Sequence, residues 1–292
     1  MRIALVSDTH LADRATAFVA NWRVLAGLIN ADAPDLVVHL GDITVDGAGD
    51  PAEHTQALAE LARLHAPLLA VPGNHDLGDN PPAPGMAVSS LVLPARLAAY
   101  DAAFGPDRWQ RDLAGFRLIG INAQLLGSGL DAEADQFAWL DAALATADRP
   151  VGLFLHKPLF RDAPDDTEIH VRYVPAAPRA RLLALLDRVD LRFVISGHAH
   201  QARRLHRGGV EHLWMPSTAF IIPDAVQERI GDKRVGYALL TLAPDDHAIT
   251  FRHPAGLTDH DLLDHAEAYP GVIALRDRLA RSGADTGTAS LT

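Results

Sequence analysis

A chain of 292 residues that is 48% hydrophobic and 22% charged can bury a full core, which places it among ordinary globular proteins and outside the disordered classes. Its formal charge of −11, from 26 Lys+Arg against 37 Asp+Glu, argues against broad charge-driven binding to nucleic acid or acidic membrane. The absence of cysteine excludes a disulfide framework, a thiolate metal site and a Cys nucleophile.

In chain order, residues 3–6 form the first apolar run, and no charged leader with a long apolar stretch precedes it. No run reaches the roughly 18 apolar residues that a membrane span needs, so the expectation is a soluble, cytoplasmic protein with no membrane partner. Phe18, Trp22, Leu25 and Ile29 recur at helical spacing and predict a helix that Pro34 stops. Residues 36–40 are the next buried strand, which makes a βαβ unit with parallel strands and a right-handed crossover. Asp50-Pro51-Ala52-Glu53 opens a second helix, and Pro67 resets the chain for a strand over 68–71.

Residues 77–94 carry Gly78, Pro81, Pro82, Pro84, Gly85 and Pro94, which predicts a long irregular loop placed to line a substrate cleft. A strand over 116–121 and a helix over about 133–147 follow, the helix marked by Phe137, Leu140 and Leu144. Strands over 151–155 and 191–195 are separated by a loop, 157–178, and a Leu-rich helix near 179–188. After His200, segments 211–215, 236–242 and 248–252 read as strands with no long helices between them, an antiparallel stretch or a second sheet. Two short helices near 258–267 and 271–281 are expected to close a single domain over 1–281, leaving 282–292 as a flexible tail.

Five of these strand candidates run into loops of metal-ligand residue types. They are Asp8-Thr9-His10, Gly41-Asp42, Gly73-Asn74-His75-Asp76, His156 and Gly197-His198-Ala199-His200. A lone Gly-Asp or Gly-His dipeptide carries almost no information; five such segments in order, each after a strand, make a site at the C-terminal ends of a sheet. The collected donors are Asp8, His10, Asp42, Asn74, His156, His198 and His200. Oxygen and imidazole donors without sulfur suit divalent Mn, Fe, Zn or Co. Seven donors exceed one tetrahedral ion and fit two ions sharing a carboxylate, a pair that sits about 3.5–4 Å apart in enzymes that displace at phosphorus. His39 is assigned to its strand, His54 and His65 to the second helix, and Arg203, Arg204 and Arg207 to a solvated hairpin. Asp46 is either a turn residue beside Gly47 or a neighbour of the metal shell.

This set of motifs resembles the calcineurin-like metallophosphoesterase superfamily over roughly residues 1–220. Within it the chain is most similar to bacterial cyclic-nucleotide and glycerophosphodiester phosphodiesterases, partly through Gly41-Asp42-Ile43-Thr44-Val45-Asp46-Gly47. The resemblance implies an α/β fold, a four-layer α/β/β/α sandwich of two mixed sheets flanked by helices, and two divalent metal ions. It implies that Asp8, His10, Asp42 and His200 hold the first ion, that Asp42 bridges, and that Asn74, His156 and His198 complete the second. It gives His75 the substrate side, as proton donor, with Asp76 orienting it. The implied activity is hydrolysis of a small phosphodiester by a hydroxide held between the ions. A phosphomonoesterase acting on a nucleotide or sugar phosphate is the second reading. The acidic charge disfavours a DNA nuclease of the same fold, and the complete ligand set disfavours a non-catalytic scaffold. Lys157 departs from the second histidine that many relatives carry there, and the tyrosine ligand of the oxidised-iron branch has no match. The partner expected is a small phosphate ester, not a nucleic acid polymer; oligomeric state is open.

Overall fold

Strand β1 (Arg2–Val6) has Ile3, Ala4, Leu5 and Val6 fully buried, which is possible only for a strand covered on both faces. The computed structural model that shows this describes residues 1–82 and 90–287, with side chains to 281. Helix α1 (Thr16–Asp32) returns the chain to β2 (Leu36–His39), and α2 (Ala52–Leu61) to β3 (Leu68–Ala70); β1, β2 and β3 pair in parallel, as the βαβ pattern requires. A single turn, α3 (Asn74–Leu77), and α4 (Pro94–Phe104) then lead to a second sheet. Its strands are β4 (Trp109–Leu113), β5 (Phe116–Gly120), β6 (Val151–Phe154), β7 (Leu191–Ser196), β8 (Arg203–Arg207) and β9 (Val210–Trp214), in the order β4-β5-β6-β7-β9-β8. Helix α5 (Asp131–Ala145) connects β5 to β6, and α6 (Ala176–Leu186) connects β6 to β7.

After a short β10 (Phe220–Ile221), the hairpin of β11 (Tyr237–Ala243) and β12 (Asp246–Arg252) rejoins the first sheet, antiparallel to β1. Strand β13 (His260–Asp261) pairs with β10, and α7 (Val272–Gly287) ends the described chain. The two mixed sheets face each other. Ile3 and Leu5 point inward against Phe116, Phe154, Phe193 and Ile195, while Ala4 and Val6 point outward against Trp22, Leu25 and Ile29 of α1. On the other side Leu153 and Leu155 meet Phe137 and Leu140 of α5 and Leu182 of α6. The period-2 alternation of each strand thus feeds one central and two outer cores, giving the four layers α/β/β/α.

Several elements differ from the sequence reading. No helix forms over 258–267; His260 and Asp261 pair with Phe220 and Ile221, and Asp261 then accepts a hydrogen bond from Leu263 N–H at 2.8 Å to start a 3-10 turn. Pro94, read as loop punctuation, occupies the first turn of α4, where its missing N–H costs nothing. Strand β4 was invisible because Gln110, Arg111 and Asp112 are exposed on a sheet edge. Helix α7 runs to Gly287, past the expected 271–281, and 288–292 lie outside the described residues, as do 83–89 of the predicted 77–94 loop. Among the described residues no helix is long and apolar enough to cross a membrane.

Candidate metal centre

The site is built where β1, β2, β3, β6 and β7 end, and the loops there are tied to one another by backbone. Asp8 N–H donates to Gly41 O at 3.0 Å, His10 N–H to Asp42 O at 3.1 Å, and Gly197 N–H to His156 O at 2.8 Å. Two glycines make the approach possible. A Cβ on Gly73 would fall on the Asp42 carboxylate, and one on Gly197 would fall on Ser7 Oγ. The turns are tight enough to force left-handed backbone on side-chain-bearing residues. Of the eight non-glycine residues with positive φ among those described, five are Asp8 (54°), His10 (45°), Asp42 (52°), His198 (65°) and His200 (52°). Each such residue costs on the order of 1 kcal/mol, so the strain is concentrated where the donors must be aimed.

The donor atoms gather in two sets. In the first, Asp8 Oδ1 lies 3.2 Å from His200 Nε2, and His10 Nε2 lies 3.4 Å from the same nitrogen. In the second, His156 Nε2 lies 3.2 Å from Asp42 Oδ2, 3.3 Å from Asn74 Oδ1 and 3.1 Å from His198 Nδ1. The carbonyls behind the rings set the tautomers: His156 Nδ1–H donates to Leu40 O at 2.7 Å and His200 Nδ1–H to Phe220 O at 3.1 Å. With Nδ1–H engaged behind it, each ring turns Nε2 toward the other ligand atoms of its set. Asp8 Oδ1 is buried and accepts no hydrogen bond among the described residues. Acceptors that converge without donors need a cation between them, so these residues fit bound divalent metal. The groups Asp8/His10/His200 and Asp42/His156/His198 each bring ligand atoms within 4.8 Å of one another, and His10/Asp42/His75 form a third such group that shares Asp42.

Burial and crowding shift the ionisable groups of both sets. Burial raises the carboxyls of Asp8 and Asp42, but His200 beside Asp8 and His156 beside Asp42 outweigh it and hold both below the usual carboxylate range. Burial pushes His10 and His198 well down, so both are neutral. Burial also disfavours charge on His156, yet the Asp42 carboxylate overrides it and lifts the imidazole to about 9.

His75 donates its backbone N–H to Asp42 Oδ1 at 2.8 Å, and its ring Nδ1–H to Val45 O at 2.7 Å, which leaves Nε2 for the site. Asp76, expected to orient His75, does something else. Its Oδ1 accepts from Thr44 N–H and Thr44 Oγ1–H, both at 2.9 Å, and its Oδ2 accepts from Gly73 N–H at 2.8 Å. Adjacent residues of a helical turn point in different directions, so Asp76 faces inward and braces the loop, while Val45 O orients the His75 ring.

His39 belongs to β2, as expected. Gly41 N–H donates to its Nδ1 at 3.1 Å and its Nε2–H donates to Thr9 Oγ1 at 2.9 Å, so it is a strut between loops; burial pushes it down to about 3. Asp46 caps a turn through Gly49 N–H at 3.2 Å and also lines the cleft over the site. Arg203 and Arg204 sit in the β8/β9 hairpin, paired with Asp162 and Glu211. Tyr269 escaped the sequence reading: its hydroxyl is 2.5 Å from His10 Nδ1.

Lys157 is fully buried, with Nζ 2.5 Å from Asp79 Oδ1 and 2.6 Å from Asn80 Oδ1. It pins the segment that leaves the Asn74-His75 turn. Lys157→Ala should lower stability by about 3–5 kcal/mol, because it removes the buried cation from Asp79 and Asn80, and burial already raises the Asp79 carboxyl. Urea denaturation reads this directly, and a loss under about 1 kcal/mol would contradict the role.

A four-layer α/β sandwich with paired imidazole and carboxylate clusters at its strand ends defines the metallophosphoesterase class. A family model described as calcineurin-like phosphoesterase matches residues 1–202, and the chain belongs to that family. It is accordingly a metal-dependent phosphoric ester hydrolase. A glycerophosphodiester phosphodiesterase from Enterobacter lignolyticus is 29% identical over 240 residues, 76% of this chain and 79% of that protein. A 3',5'-cyclic adenosine monophosphate phosphodiesterase from Escherichia coli is 28% identical over 229 residues, 75% of this chain and 76% of that protein. A dimetal phosphatase from Danio rerio shares the fold with a TM-score of 0.61, at 18% identity over 87% of this chain and 96% of that one.

Proposed function

We propose that the chain hydrolyses a small phosphodiester with two divalent ions. Asp8, His10, Asp42 and His200 hold the first, and Asp42, Asn74, His156 and His198 the second. The observation that carries this is the two donor groups, Asp8/His10/His200 and Asp42/His156/His198, with His10/Asp42/His75 linking one to the other, and His10, Asp42, Asn74, His198 and His200 lining one cleft of about 510 Å³. When bound, two cations activate water for attack and offset charge that grows on the phosphoryl oxygens. The chain's own residues supply the rest. Val45 O and the Asp42 carboxylate fix His75 so that Nε2 faces the cleft, from which a protonated ring can deliver its proton to a leaving oxygen. Asp76 keeps the His75 backbone in place through Thr44 and Gly73.

The diester preference is supported by the phosphodiesterase names of the relatives. The test is hydrolysis of bis(p-nitrophenyl) phosphate against p-nitrophenyl phosphate by protein stripped of metal and reloaded with Mn. Metal-dependent activity that favours the diester is expected. Monoester preference would replace the substrate class with nucleotide or sugar phosphates.

A further inference from the structure

The geometry points to the C-terminal segment as the specificity element: Tyr269, Val272 and Leu275, with Phe220 and Ile222, form an apolar wall that selects phosphodiesters carrying an aromatic or bulky apolar ester group. The inference rests on the phosphodiesterase reading above and extends it to what lies beyond the phosphate.

The cleft over His10, Asn74, His75, His198 and His200 is lined by these five side chains, with Arg14, Asp46, Ser90 and Arg278 also on its walls. At about 510 Å³ it has room for a drug-sized ligand, far beyond a phosphate group. The wall begins at the metal-ligating side chains themselves. The Phe220 ring centroid lies 4.4 Å from that of His200, and the Tyr269 ring lies 5.5 Å from His75 and 5.8 Å from His10. A group esterified to a phosphate held there has these rings within contact range. The wall is also anchored, because Tyr269 hydroxyl is 2.5 Å from His10 Nδ1 and its ring packs on Phe220 at 5.7 Å. Val272 is 5% exposed, while Leu275 is half-buried and presents its face to the cleft. Every residue of the wall lies beyond 202, where the family match ends. Apolar ester surface leaving water against this wall gains affinity, whereas a small or hydroxylated group leaves the wall wet.

Two substrates with one leaving group isolate the effect: p-nitrophenyl phenyl phosphate and p-nitrophenyl methyl phosphate, assayed with the full, Mn-loaded chain. The phenyl ester should be favoured in kcat/KM by roughly 10-fold or more. Leu275→Asn should cut that ratio at least about 5-fold, and Leu275→Phe should keep it. Leu275 lies on a half-exposed helix face, so neither change opens the core. Calorimetric affinities of phenyl phosphate and methyl phosphate provide a second reading, and their ratio should move in the same way. A wild-type ratio near 1, or one that Leu275→Asn leaves unchanged, would overturn the wall. Hydrolysis of neither ester, with phenyl phosphate still bound in preference, would instead overturn the phosphodiesterase reading and keep the wall.

Discussion

Asn74→Ala or His198→Ala is expected to yield a folded protein that holds one ion in place of two and turns over bis(p-nitrophenyl) phosphate roughly 10³-fold more slowly. Both side chains meet only the second donor set: Asn74 Oδ1 and His198 Nδ1 face His156 Nε2 at 3.3 and 3.1 Å. Removing either takes a ligand from one ion and leaves the Asp8/His10/His200 group intact. The fold should survive, because the backbone bonds of these residues persist, including Gly78 N–H to Asn74 O and His198 N–H to Asp8 Oδ2. Metal content by plasma mass spectrometry, kcat and a thermal melt read the three parts separately. Wild-type turnover in either variant would contradict the assignment.

His75→Ala is expected to leave two ions bound and to slow turnover in a way that depends on the leaving group. A departing alkoxide needs a proton and should lose roughly 10²–10⁴-fold, while a stabilised p-nitrophenolate should lose far less. The geometry predicts this split. Alanine retains the backbone N–H that donates to Asp42 Oδ1, so the Asp42 carboxylate keeps that partner, and only the ring on Val45 O disappears. Parallel assays on an alkyl and an aryl diester, together with metal content, decide the matter. Loss of both ions would place His75 among the ligands, a role its membership of the His10/Asp42/His75 group makes worth testing.

How much of this was legible in the sequence follows from which forces are local. Parallel strands buried on both faces are continuous apolar runs, so β1, β2, β6 and β7 could be read directly; β3, a partly buried edge strand, was marked by its apolar run between Pro67 and Pro72, and the seven candidate donors were legible as the residues that follow these strands. The donors meet because two facing sheets bring the C-terminal ends of their parallel strands together, which a sequence shows only as order. What stayed hidden depends on tertiary context. The left-handed backbone of Asp8, His10, Asp42, His198 and His200 has no residue signature like the glycine that usually marks it. Tyr269 meets His10 across 259 residues, and no periodicity reports such a contact. Asp76 follows His75 directly, and that adjacency suggested a partnership which the helical turn prevents. Lys157 stands where a histidine was expected, and its reason is Asp79, a residue whose burial could not be foreseen in a loop.

The most direct test is anomalous diffraction from crystals of the full chain loaded with Mn. The account predicts two peaks about 3.5–4 Å apart. One should lie among Asp8, His10, Asp42 and His200, the other among Asp42, Asn74, His156 and His198. A single peak, or two that do not share Asp42, would contradict it.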